Sequence, residues 1–139
     1  MHYRPVETTG EYVARFETDA DWREEIEALA KAVDASAGWF TALGAVQDAE
    51  LWFYDQETTQ YEPVTFDEPL EVASCVGNIS LLDGEVFAHT HAVCSRPDGE
   101  AIAGHLDAAT VFAGEVYLRT FADPLERRHD ERTDLDLWL

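Results

Sequence analysis

The chain has 139 residues, 46% of them hydrophobic, and carries 29 acidic against nine basic side chains, a formal net charge of −20. That length makes one domain with room for an ordinary core, and seven Phe, five Tyr and four Trp exclude a disordered acidic segment. No run of 18 apolar residues offers a membrane span, and so negative a field opposes any surface built to neutralise phosphates.

Residues 1–10 read as an extended arm ending at Gly10, with no apolar stretch to act as a signal peptide, which points to the cytoplasm. Glu11 to Glu17 alternates polar and apolar residues, as a strand with one buried face does. Thr18-Asp19 offers an N-cap, and Trp22, Ile26, Leu29, Ala30 and Val33 follow at helical spacing, predicting a helix that runs to about Ser36 and stops at Gly38. From Trp39 the period changes to two. Strands are expected over Trp39–Val46, with Gly44 as a bulge, and over Ala49–Tyr54, which returns after Asp55–Thr59 through Gln60–Phe66. A long strand covers Glu71–Leu82, and Asp83-Gly84 is a tight turn into the next. After His105 a strand is expected over Val111–Phe121, stopped by Ala122-Asp123-Pro124. This is an α+β pattern: one main helix near the N-terminus and six to eight mostly antiparallel strands in a curved, barrel-like sheet. The folded core spans about 10–122 of a single domain over 1–139. Residues 123–139 form a charged tail whose Leu135, Leu137, Trp138 and Leu139 can pack on this domain or on a neighbour.

Chemistry concentrates between Phe87 and Leu106. Pro97-Asp98-Gly99 suits a three-residue hairpin loop, with Pro presetting the first φ and Gly taking the left-handed third position. With that loop Arg96 pairs with Glu100, and by the same register His91 falls opposite His105. His89, two residues before His91, shares its face. Three imidazoles on one patch are the geometry of a three-histidine metal site with an open position, for zinc or another divalent transition metal such as nickel, iron or manganese. A lone His-x-His pair on a half-exposed strand is often only a polar patch. A third histidine in register favours the metal. Cys94 lies an odd number of residues from His91 and faces the other way. With Cys75 it is expected to be a reduced core residue, since the two form no zinc or disulfide spacing.

Lys31 is the only lysine, and the acidic residues are spread along the whole chain. A folded protein of this kind looks halophilic, suited to a salt-rich cytoplasm that screens self-repulsion.

The ordered set Leu43-Gly44-Ala45, Ala49-Glu50-Leu51, Tyr54-Asp55, Tyr61, Glu71, Gly77-Asn78, His89-x-His91, Gly104-His105-Leu106 and Glu115-Val116 resembles the PPC domain, named for plants and prokaryotes. The resemblance covers roughly residues 10 to 122. It implies a curved antiparallel sheet, a homotrimer, and a zinc ion on His89, His91 and His105. In plants the domain follows an AT-hook that contacts DNA, and stand-alone prokaryotic members carry a DNA-binding label by association. This chain has no Arg-Gly-Arg-Pro hook. The fold and the histidine set are also similar to acetolactate decarboxylase, in which an open zinc position can polarise a carbonyl or activate water. For such chemistry Glu115 is the candidate acid or base, with Arg96 or Arg119 to clamp a carboxylate. Tyr54 and Tyr61 are candidates to line a cleft, and Asn78 to orient a histidine. Three roles follow: a zinc-binding homotrimeric module for assembly or regulation, a metal-dependent lyase or hydrolase for a small carboxylated metabolite, and DNA binding, which the charge disfavours.

Overall fold

The computed structural model describes residues 1–138; Leu139, grouped above with the apolar C-terminal residues, lies outside them. In chain order the elements are β1 (Thr8–Arg15), α1 (Trp22–Ala32), β2 (Gly38–Val46), β3 (Ala49–Asp55), β4 (Gln60–Phe66), β5 (Leu70–Leu82), β6 (Glu85–Ser95), β7 (Ala101–Ala108), β8 (Val111–Phe121), β9 (Arg127–Asp130) and β10 (Leu135–Trp138). Eight strands form one antiparallel sheet in the order β1-β8-β2-β5-β6-β7-β3-β4. The sheet curves but does not close, leaving β1 and β4 as edges. Among the described residues no helix is long and apolar enough to cross a membrane.

One face of the sheet carries the core. Trp22, Ile26 and Ala30 of α1 are fully buried against a cluster that includes Phe40, Cys75, Ile79, Ala88, Cys94, Leu106, Val116 and Leu118. Both cysteines are free and buried there, and burial pushes the Cys75 thiol up to about 12. Gly44 produces the expected bulge: the β2–β5 register shifts between Ala42 and Gly44, and at φ 153° a Cβ would stand 2.1 Å from the Ala113 carbonyl oxygen. Asp83-Gly84 takes positive φ at both positions, 52° and 84°, as a tight hairpin turn of the primed type demands.

Three expectations need correction. The helix is capped by Asp21, not by Thr18 or Asp19. Asp19 sits at φ 68°, still turning, while Asp21 is extended and its Oδ1 accepts from Arg23 N and Glu24 N at 2.9 Å each. The helix also ends at Ala32, four residues before Ser36. Asp34 adopts φ 55°, so that Asp34 N donates to Lys31 O and Ala35 N to Ala30 O, the paired bonds of a Schellman stop with aspartate in place of glycine. The charged stretch after Ala122 holds two further strands, β9 and β10, paired from Leu135↔Asp130 to Trp138↔Arg127. The segment leading into this hairpin runs beside β5, where Leu81 N donates to Leu125 O at 2.7 Å, and the hairpin is tied to β5 by Arg127 Nε donating to Ser80 Oγ and to β3 by the Tyr54 hydroxyl donating to Thr133 O.

Asp21 also ties the helix to the sheet, because its Oδ2 accepts from Ala109 N at 3.1 Å. Asp21→Ala is expected to lower stability by about 1–2 kcal/mol in urea unfolding, the upper part of the range for a lost N-cap. An unchanged midpoint would remove this carboxylate from the account of how α1 is anchored.

Candidate metal centre

Cross-strand pairing lines up one row of residues through all eight strands. It runs Val13–Tyr117–Thr41–Val76–His91–His105–Trp52–Pro63. All of these project to the face opposite the core, because directly paired residues share a face. Within β6 the alternation is clear: Ala88, Thr90, Ala92 and Cys94 are buried in the core, and His89 and His91 point the other way. The loop sets the register as its residues predict. Arg96 N donates to Glu100 O and Gly99 N to Arg96 O, both at 2.9 Å, with Gly99 at φ 87°. His91 pairs with His105.

That pair is also where β6 and β7 part. Beyond it Leu106 pairs with Leu51 of β3, while β6 continues beside β5 alone. The freed backbone finds side-chain partners: Ala88 N donates to Glu27 Oε1 of α1 at 3.1 Å, and the Thr90 hydroxyl donates to Leu106 O. Close approach on the β5 side requires Gly77, where a Cβ would stand 2.1 Å from the His89 carbonyl oxygen and 2.3 Å from Phe40. The three histidines therefore stand at the mouth of a fork. Their ring centroids are 5.0 to 5.5 Å apart, and one ligating nitrogen from each lies within 4.8 Å of the others.

Burial decides their charge. It pushes His89 down to about 3 and His105 down to about 4, and lowers His91 as well, so all three rings are neutral at neutral pH. The Arg127 guanidinium adds to the shift at His89, and the neighbouring His91 adds to that at His105. His105 is only 9% exposed, and its Nδ1 is buried with no hydrogen-bond partner. A buried ring nitrogen without a partner carries a desolvation cost of about 1–3 kcal/mol. Three neutral imidazoles, one with an orphaned nitrogen, are the donor set that a divalent transition metal takes up.

Beside them lies a cavity of about 270 Å³ between the sheet and the β9–β10 hairpin, lined by His89, His105, Trp52, Tyr61, Phe87 and Arg127 among others. Trp52 and Tyr61 wall the His105 side, with ring centroids 6.4 and 5.5 Å from the imidazole. Arg127 occupies the opposite wall. Its Nε donates to Ser80 Oγ at 2.8 Å, Nη2 to Asn78 Oδ1 at 2.9 Å and Nη1 to Asp136 O at 2.7 Å, and its Cζ lies 5.3 Å from the Phe87 ring centroid.

Sequence reasoning did not single out Arg127, which lay in the stretch read as a tail. The alternation Leu135-Asp136-Leu137-Trp138 was the available signal for a strand there. Glu115 is not brought to the histidines. It pairs with Arg15 and Leu43 on β8, which β2, β5 and β6 separate from β7, and it borders a different cavity. Arg96 is held by Glu68 at 2.8 Å and Glu100 at 2.5 Å, and Arg119 by Glu11 at 2.8 Å, so neither faces the site. Tyr61 lines the cavity, whereas Tyr54 packs on Tyr61 and holds the hairpin. Asn78 is paired with His89 in register, but its side chain fixes Arg127.

The family profile of the Plants and Prokaryotes Conserved (PCC) domain matches residues 3–122. A crystal structure of a metal-containing protein from Archaeoglobus fulgidus is 36% identical and superposes with TM-score 0.95, covering 100% of this chain and 99% of that one. A plant- and prokaryote-conserved protein from Pyrococcus horikoshii shares the fold at 24% identity and TM-score 0.94, over 100% and 97% of the two chains. A protein from Bacteroides thetaiotaomicron described as a candidate DNA-binding protein is 25% identical, with TM-score 0.87 over 96% of each chain. No curated protein gives a significant match.

The depressed histidines make a pH prediction for chelator-treated protein. Unfolded imidazoles take up protons below about 6.5, while His105 and His89 resist until about 4 and 3. Stability present above pH 6.5 is therefore lost as pH falls through that window. Urea unfolding across pH 7 to 4 should show a steeper decline for wild type than for a His89→Gln, His105→Gln variant. Parallel declines would show that these two rings are not buried neutral.

Proposed function

This chain belongs to the Plants and Prokaryotes Conserved domain family, and from that premise we propose that it is a zinc-binding homotrimeric module of the cytoplasm, with an assembly or regulatory role. The observation that carries the metal is the triangle of His89, His91 and His105, neutral by burial and with one nitrogen orphaned. The metal-containing relative from Archaeoglobus fulgidus supports it. Zinc is favoured because three imidazoles with an open position make a common zinc set, although iron or nickel accepts the same donors. His89, His91 and His105 would hold the ion, which would supply a Lewis-acidic position at the cavity mouth.

Support for self-association comes from the face that the row describes. Val13 (83% exposed), Leu43 (55%), Trp39 (46%) and Val76 (40%) form an apolar strip on β1, β2 and β5 beside a cavity of about 590 Å³. Strips of this kind mark interaction surfaces. Copies of this chain are the fitting occupant in a protein of net charge −20, since on this face apolar side chains stand among charges paired within the chain, Arg119 with Glu11 at 2.8 Å and Arg15 opposite Glu115, and offer contact where like-charged surfaces repel. The number three is carried over from the prokaryotic members that the sequence resembles. The strip adjoins Val76 and His91, so assembly would take place next to the metal. The even acidity favours a salt-rich cell interior, and although relatives carry a DNA-binding description, the same charge disfavours that role here.

A lyase or hydrolase reading rests on one specific observation, the cavity that opens from the histidines onto Arg127. Glu115 plays no part in it.

Elemental analysis in high salt should find about one zinc per chain in wild type and none in the His89→Ala, His91→Ala, His105→Ala variant; a metal-free wild type would end the metal reading. In light scattering, wild type should have the mass of three chains and Leu43→Glu that of one. A monomeric wild type, or a Leu43→Glu protein that stays assembled, would place the interface elsewhere or nowhere.

A further inference from the structure

Arg127 differs from the other arginines near the sheet. Arg96 and Arg119 are bonded to carboxylates, whereas Arg127 is fixed by neutral acceptors: a hydroxyl, an amide oxygen and a backbone carbonyl. A guanidinium has five N–H donors. Three are used, one each on Nε, Nη1 and Nη2, which leaves one on each terminal nitrogen. Those two nitrogens are the pair on which a guanidinium receives the two oxygens of a carboxylate end-on. Ser80 is fully buried and Asn78 is 6% exposed, so the guanidinium is held by two groups packed into the protein. Phe87 stacks beneath it and also meets Arg23, whose Cζ lies 5.7 Å from the same ring.

Three aspartates also line the cavity, and each has a cationic or imidazole neighbour of its own. Asp107 is engaged by Arg23 at 3.9 Å, while Asp134 and Asp136 face His129 at 3.4 and 3.9 Å. No carboxylate among the described residues bonds the Arg127 guanidinium. Against these three aspartates, the Arg127 guanidinium and a divalent ion, when bound at the histidines, would be the groups that attract an anion into the cavity. At about 270 Å³ it admits a molecule of a few heavy atoms rather than a peptide or a nucleotide.

We propose that this cavity binds a small carboxylate, its carboxyl group on the free fork of Arg127 and its remaining end toward the three histidines. The proposal rests on the metal reading above and names the ligand class of that site. It assigns to Arg127 the clamp that the resemblance to acetolactate decarboxylase suggested for Arg96 or Arg119. Asn78 and Ser80 are then positioning residues that aim the guanidinium.

The test is calorimetric titration of zinc-loaded protein with lactate and, separately, with inorganic phosphate at fixed high ionic strength, with metal content measured on each sample. Lactate should bind wild type, Arg96→Gln and Arg119→Gln alike, and phosphate should bind more weakly. Arg127→Gln should keep its zinc and lose roughly tenfold or more in lactate affinity. Arg127→Lys, which keeps the charge without the fork, guards against a folding defect in the glutamine variant and should also bind more weakly than wild type. Zinc present without lactate binding, or lactate binding indifferent to Arg127, would overturn the proposal and leave the metal reading intact. Phosphate binding as tightly as lactate would overturn the carboxylate assignment. A wild type that takes up no zinc would bring down both.

Discussion

The structure around the site depends on one hydrogen-bonded register, that of β6 against β7. Pro97-Asp98-Gly99 fixes it by closing the hairpin between Arg96 and Glu100, and a slip of one residue would send both His89 and His91 into the core face. The same register ends where it is needed. Because pairing stops at His91↔His105, β7 can swing to β3 and carry Trp52 against the imidazole of His105. The gap left behind is filled from the helix by Glu27 and Arg23. A single hairpin thus supplies the ligands, the space beside them and the aromatic wall.

Electrostatically the site runs against the rest of the molecule. The surface is acidic, yet neutral rings face the cavity from the sheet beside Asp107, and two guanidiniums flank Phe87. Burial keeps the imidazoles uncharged, and burial also lowers the Arg127 pKa without discharging a guanidinium. Arg127 is set apart there because its hydrogen bonds go to neutral acceptors and not to a carboxylate.

How much of this was legible in the sequence follows from the range of each interaction. The histidine triangle could be counted out because a three-residue loop and period-two alternation are local rules. The α1 stripe, the Gly44 bulge and the Asp83-Gly84 turn were readable for the same reason. The helix ends were misplaced because Asp21 and Asp34 decide them through backbone angles that several neighbouring residues could have adopted. Glu115 looked close to His105 because few residues separate them, but sheet order placed β2, β5 and β6 between. Arg127 was invisible because its partners, Ser80 and Asn78, are 47 and 49 residues away in the chain. Spacing carries no information about such a contact.

The hairpin that carries Arg127 follows every strand of the sheet in the order of synthesis. Chains emerge from the ribosome N-terminal part first and fold in that direction. Residues 127–138 therefore leave the ribosome after the strands that carry the three histidines. A nascent protein would offer an uncovered triangle of ligands and only afterwards acquire the arm that walls it in.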